Sequence, residues 1–78
     1  MKFFVYCDGK ILGDGDNIVP AEVLAKTMAV KMSPKMVSIR DDGQKPGDPA
    51  RRTYKVENGV MKWSALSDSK IDVGETAI

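Results

Sequence analysis

The sequence contains no histidine and a single cysteine, Cys7, and both shortages narrow the chemistry that the chain can perform. One cysteine cannot form an intrachain disulfide, so we expect a reducing compartment, the cytoplasm. Zinc sites are built from clusters of cysteine and histidine, so we expect no metal site and no cofactor. Cys7 lies in an apolar run without a histidine base, and we interpret it as a buried, unreactive thiol.

Strong net charge and long apolar runs are also missing. The formal net charge is +1, which gives no overall attraction to nucleic acid or to a membrane surface. No segment approaches the roughly 20 apolar residues of a membrane-spanning helix, and no signal-peptide core follows Met1. The length of 78 residues predicts one domain. A domain this small gains stability from a partner or a second copy, so a homodimer is one of the open alternatives.

The first segment predicts a β-hairpin. Asp8-Gly9 is a favoured two-residue turn, because both central positions need positive φ, and this turn would place Val5 opposite Leu12. The strand before the turn is apolar on both faces, with Phe4 and Tyr6 on one of them. We therefore expect it to lie inside the sheet, with a layer packed on each side, one of which a second copy or a partner would supply.

One helix is predicted over residues 20–32. Pro20 fits the first helical turn, and Ser33-Pro34 ends the helix. A stripe at helical spacing predicts the face that packs on the sheet. This stripe comprises Ala21, Leu24, Ala25, Met28 and Met32.

The second half of the chain predicts three strands. In the first, Val37 and Ile39 point toward the core. Asn58-Gly59 then predicts a second two-residue hairpin. Its inner face would hold Tyr54, Val56, Met61, Trp63 and Ala65, and its outer face Thr53, Lys55, Glu57, Lys62 and Ser64. The last residues form a polar tail that predicts either a short edge strand or a disordered end.

These elements predict an α+β fold of two layers. The order is β-β-α-β-β-β, with the helix packed on a mostly antiparallel sheet of about four to five strands. Residues 1–66 form the predicted single domain, and residues 67–78 the C-terminal tail.

No motif in the chain predicts catalysis. Asp14–Asn17 resembles the start of a calcium loop, but the glycine and the glutamate that such a loop needs are replaced by Val19 and Ala25. The glycine-containing loops do not have the spacing of phosphate-binding loops. The aspartates lie in turns, where they are normally structural or solvated. We therefore expect a protein that is not an enzyme.

The segment DDGQKPGDPARR, residues 41–52, is the candidate contact element. Its prolines stiffen the loop, its glycines allow it to turn, and its arginines can form forked hydrogen bonds to carboxylate or phosphate. A loop of this length in a small domain is often functional. The predicted partner-binding residues are Arg40, Asp41, Asp42, Lys45, Arg51 and Arg52.

Three interpretations of the charged residues remain open. The first is a protein-binding surface, and the second is a solvated face of mixed charge. The third is nucleic-acid contact through Lys55 and Lys62 together with the loop arginines. Against the third, Tyr54 and Trp63 are predicted to point inward, which leaves no aromatic side chain for base stacking on the basic face.

In outline the chain resembles the small single-domain inhibitors encoded by bacteriophages, among which are the anti-CRISPR proteins. The resemblance lies in the length, the lone helix AEVLAKTMAVKM, the strand KMVSIRDD after its Ser-Pro stop, the Asn-Gly hairpin and the lack of a catalytic constellation. It implies a cytoplasmic protein of the infected cell that binds a host defence complex and blocks nucleic-acid binding or nuclease recruitment. The near-neutral charge makes DNA mimicry a poor fit.

The resulting hypothesis is a non-enzymatic binding protein whose partner is a protein complex of the host cell. A small nucleic-acid- or nucleotide-binding module is the alternative. A small enzyme subunit or ligand-binding domain, with a pocket completed by a dimer, is a third alternative without direct support in the residues.

Overall fold

The computed structural model describes residues 1–67 and 70–78, and the side chains of residues 1–64 and 73–78. In chain order the elements are β1 (Phe3–Cys7), β2 (Lys10–Gly15), α1 (Ile18–Lys31), β3 (Met36–Asp41), β4 (Arg52–Glu57), β5 (Val60–Ser67) and β6 (Lys70–Ala77). None of the described helices has the length and apolar character needed to cross a bilayer.

The six strands form one antiparallel sheet in the order β2-β1-β3-β4-β5-β6. Helix α1 packs on β1 to β4. We call the helix-covered side the inner face and the opposite side the outer face. The predicted α+β class is confirmed, and the predicted element order holds as far as β5. The structure adds β6, so the sheet has one strand more than the upper limit of the prediction. The first strand lies inside the sheet, as expected.

Both predicted hairpin turns are present. Asp8 and Gly9 have φ of 52° and 78°, and Asn58 and Gly59 have φ of 55° and 74°, as this turn type requires. The asparagine and aspartate tolerate this conformation, and the glycines adopt it without a steric cost.

The register of the first hairpin differs from the prediction. Val5 lies opposite Gly13 rather than Leu12, because a bulge shifts the register between Val5 and Tyr6. Leu24 of the helix lies over Gly13, and a Cβ atom there would overlap the leucine side chain. The bulge therefore presents a residue without a side chain to the helix at the point of close approach.

The helix begins two residues earlier than predicted. The Asn17 side chain caps it by accepting a hydrogen bond from the Val19 amide at 3.0 Å. Ala21, Ala25 and Ala29 are fully buried and bring the helix close to the sheet. The other members of the predicted stripe, Leu24, Met28 and Met32, are partly buried against the core. The core-facing role of the stripe is thus confirmed.

The core lies between α1 and the inner face. Besides the alanines, its buried residues are Val5, Cys7, Val37, Ile39, Tyr54, Val56 and Met61. Trp63 is partly buried against this cluster, so the predicted inner face of the second hairpin is confirmed for all members except Ala65, whose side chain lies outside the described part.

The C-terminal segment contains an edge strand of eight residues, β6, which pairs with β5. Gly74 lies directly opposite Trp63, and a Cβ atom at Gly74 would overlap the indole ring. The glycine therefore makes room for the tryptophan to lie over the edge strand. The side chain of Ile71 lies outside the described part of the structure.

Candidate functional site: the outer face and the 41–52 loop

The outer face of the sheet is a surface without a helix on it in the described part of the chain. Directly paired residues form a row across all six strands. In sheet order this row is Ile11, Tyr6, Ser38, Thr53, Ser64 and Val73. Three small hydroxyl residues occupy its centre, and the hydroxyls of Thr53 and Ser64 are 2.7 Å apart.

A second row lies beside the first. It runs through Met36, Lys55, Lys62 and Glu75, each directly paired with the next. Between the two rows is a depression of about 250 Å³. Its lining consists of Met36, Thr53, Lys55, Lys62, Trp63, Ser64 and Val73. The small residues of the first row and the long side chains of the second produce this shape.

Large apolar side chains of the outer face lie open to solvent. Ile11 is 58% exposed, Met36 is 53% exposed and Val73 is 68% exposed. Phe4 and Tyr6 lie on the same face next to Ile11, half-buried, with ring centroids 6.5 Å apart. Folding of the described chain leaves these apolar groups in contact with water, which is typical of a surface that another molecule covers.

The expectation that no aromatic residue shares a face with the basic residues is wrong. Phe4 is paired with Arg40, and Tyr6 is paired with Ser38 in the row that also contains Thr53. Because β3 joins β1 to β4, the aromatic rings of the first hairpin and the lysines of the second lie on one surface. The sequence predicted each face separately, but it did not predict which strands are neighbours.

The charges of the outer face nearly cancel. Arg40, Lys55 and Lys62 share it with Asp14, Glu57 and Glu75, as the pairing register requires. Lys55 Nζ lies 3.7 Å from Glu57 Oε2, and Lys62 is paired with Glu75. Lys55 and Lys62 are on the outer face, as predicted.

The 41–52 loop is held together by its own polar groups. The Arg40 guanidinium donates hydrogen bonds to the carbonyl oxygens of Asp48 and of Lys45, the latter at 2.9 Å. The Gln44 side chain donates to the carbonyl of Pro49 at 2.7 Å and accepts from the Asp41 amide at 3.0 Å. Many of the polar groups that the sequence predicted to contact a partner therefore form hydrogen bonds within the loop.

Asp41 is the centre of this network. Its carboxylate is buried and accepts hydrogen bonds from Arg51 Nε at 2.6 Å and from the Gly43 amide at 2.9 Å. Burial alone raises the pKa of the Asp41 carboxyl, but the hydrogen bonds from Arg51 and Gly43 and the positive charges of Arg51 and Arg40 outweigh it. The pKa of Asp41 therefore lies below its ordinary value, and the carboxylate is charged at neutral pH.

The predicted site residues are divided among three places. Arg40, Asp41 and Arg51 come together in the network that fixes the loop. Asp42 and Lys45 lie exposed at the loop surface.

Arg52 lies in the third place, on the inner face, since its pairing partner is the buried Ile39. It interacts with the phenol of Tyr54, to which Glu22 of the helix is also close, at 3.4 Å from the phenol oxygen. Burial raises the pKa of the Tyr54 phenol, Arg52 opposes this rise, and Glu22 adds to it. The phenol remains protonated, so this cluster joins the helix to the sheet.

Among the described residues, no three acidic or cysteine side chains are close enough together to hold a metal ion. Comparison with known proteins adds no identification: no family model, no curated protein and no solved structure matches this chain.

Proposed function

We propose that this chain is a non-enzymatic binding protein that docks onto a protein partner through the outer face of its sheet. The observation that carries the proposal is the combination of exposed apolar residues, half-buried aromatic rings and a shallow depression on one helix-free surface. Interfaces between proteins combine apolar and aromatic residues with polar ones, and this face has that mixed composition.

A protein fits this face better than a nucleic acid does. Nucleic-acid affinity comes mainly from cations that neutralise phosphates. Here three carboxylates share the face with three cations, and Lys62 and Glu75 lie directly opposite each other. A protein surface of mixed charge can pair with both signs, whereas a phosphate backbone would be repelled by the carboxylates.

The partner class that we propose is a bacterial defence complex, whose nucleic-acid binding or nuclease recruitment the chain would block in the host cytoplasm. The outline resemblance to small phage-encoded inhibitors supports this choice, together with the small size. The exposed loop residues Asp42 and Lys45 would contribute at the rim rather than at the centre.

The test compares two matched valine substitutions. Val73→Glu introduces a charge at the depression on the outer face, and Val19→Glu introduces the same charge on the exposed side of the helix. The wild-type chain and both variants are immobilised and exposed to bacterial lysate. Mass spectrometry then quantifies the proteins that each of them captures. We expect Val73→Glu to lose the specific partner and Val19→Glu to retain it. Loss with Val19→Glu but not with Val73→Glu would place the contact elsewhere.

A nucleic-acid-binding module is the second candidate, favoured by one observation. Phe4 and Tyr6 lie on the face that also carries Arg40, Lys55 and Lys62, and single-strand binders stack bases on aromatic rings beside cations. This candidate predicts that a labelled single-stranded oligonucleotide binds, that its affinity falls steeply with salt, and that Tyr6→Ala weakens it. Absence of binding at low salt would eliminate it.

A further inference from the structure

We infer that a second copy of this chain packs antiparallel against the exposed side of α1, forming a homodimer through the helix. The surface in question is the helix stripe, defined as Val19, Val23 and Val30. These valines are 65%, 62% and 47% exposed, although they belong to a well-capped helix in a domain of few elements.

The helix carries apolar residues on both of its sides, although Lys26, Thr27 and Lys31 are also exposed. At 100° per residue, the helix stripe lies on the side opposite the buried alanines Ala21, Ala25 and Ala29. A helix at the surface of a single domain normally shows a polar outer side, so three exposed valines on this side are unusual. The sheet buries only one side of α1, so the exposed side is available to pack against another molecule.

The spacing of the helix stripe fits another helix. Residues 19, 23, 26 and 30 follow the alternating steps of four and three residues that form the seam between two packed helices. Lys26 is the polar member of this seam, and its Nζ lies 6.0 Å from the centre of the Tyr54 ring. A single lysine in such a seam is tolerated because the long side chain carries its charge to the edge.

The charges select a second copy in antiparallel orientation. Asp16 is exposed just before the helix, and Lys31 is exposed in its last turn. Neither side chain forms an ion pair within the described residues. An antiparallel pair places Asp16 of each copy near Lys31 of the other, whereas a parallel pair places like charges together. A twofold axis between the copies forms both Asp16–Lys31 pairs from the same surface of each copy. A symmetric dimer requires such a self-complementary surface.

The size of the surface predicts a weak dimer. A helix of 14 residues is about 21 Å long, which limits the buried area. Standard interfaces bury about 800 Å² on each partner, and a single helix offers less than this. We therefore expect a dimer in the micromolar range. The outer faces of both copies stay open in it, so self-association and partner binding are separable.

The experiment measures molecular mass by sedimentation equilibrium from micromolar to millimolar protein. The wild-type chain is expected to shift from monomer to dimer. Val23→Glu should weaken dimerisation at least about tenfold, because it buries a charge in the seam. Val73→Glu, on the outer face, is the matched control and should dimerise as the wild type does. A wild-type chain that stays monomeric at millimolar concentration, or a Val23→Glu variant that dimerises normally, would overturn the inference.

A charge exchange tests the pairing. Asp16→Lys and Lys31→Glu should each weaken self-association, and an equimolar mixture of the two variants should form a heterodimer. The double variant, Asp16→Lys with Lys31→Glu, should dimerise like the wild type, because each lysine again faces a glutamate. In a parallel pair each single variant would keep like-charge contacts, as the wild type does, and would dimerise unchanged. Single variants that dimerise like the wild type, or a double variant that does not recover, would therefore overturn the antiparallel arrangement.

Discussion

The two faces of the sheet have opposite compositions, and strand β3 contributes to both. Val37 and Ile39 point to the inner face and are fully buried, whereas Met36 and Arg40 point to the outer face. The inner face supplies most of the core, and the alanines of α1 let the helix approach it closely. The outer face carries apolar side chains that the fold does not bury. The inner face accounts for stability, and the outer face is available for binding.

The largest effect that we expect separates these two faces. Ile39→Ala should lower the free energy of unfolding by about 3 kcal/mol, because a fully buried isoleucine leaves a cavity. Met36→Ala, on the same strand but exposed, should change it by less than about 0.5 kcal/mol. Chemical denaturation measures both values. Similar losses for the two variants would show that the outer face also supports the fold.

The next effect concerns the part of the sheet beyond the helix. Gly74→Ala should cost about 1–3 kcal/mol, because the new methyl group overlaps the Trp63 indole and forces it to move. Trp63 is the only tryptophan in the chain, so its fluorescence reports this displacement directly. Glu75→Ala, at the next residue, is the control and should leave the emission unchanged. An unshifted spectrum in Gly74→Ala would contradict the packing of Trp63 on β6.

A smaller effect concerns the pH dependence of stability that the 41–52 loop contributes. The pKa of Asp41 is lowered in the folded chain, so the carboxylate stabilises the fold above its unfolded pKa of about 3.8. This stability should be lost as the pH falls through the lower folded pKa. Asp41→Asn should remove that part of the pH dependence, whereas Asp42→Asn, at an exposed position, should not. Melting temperatures of both variants, measured between pH 2 and pH 6, test this difference. Identical pH profiles for the two variants would mean that the network does not fix the loop.

The sequence predicted those features that depend on neighbouring residues. The two turns follow from Asp8-Gly9 and Asn58-Gly59, and the alternation along β3 and β4 assigned Ile39 and Tyr54 to the core. These signals act over a few residues, so a single sequence contains them.

Features that depend on distant residues were not predicted. The bulge opposite Val5 follows from the position of Leu24 over Gly13, which belongs to the packing of the helix. Likewise, the pairing of β1 with β3 brings the aromatic rings next to the lysines. The sequence shows that the loop is polar. No local pattern indicates that the Asp41 carboxylate and the Arg51 guanidinium bind each other.

The central claim, that a protein partner covers the outer face, is tested most directly by acetylation of lysines in the free and the partner-bound chain. Three exposed lysines report on three surfaces: Lys62 on the outer face, Lys45 in the loop and Lys31 on the helix. We predict that the captured partner protects Lys62 fully, protects Lys45 at the rim only in part, and leaves Lys31 reactive. Protection of Lys45 or Lys31 with Lys62 still reactive would contradict the account.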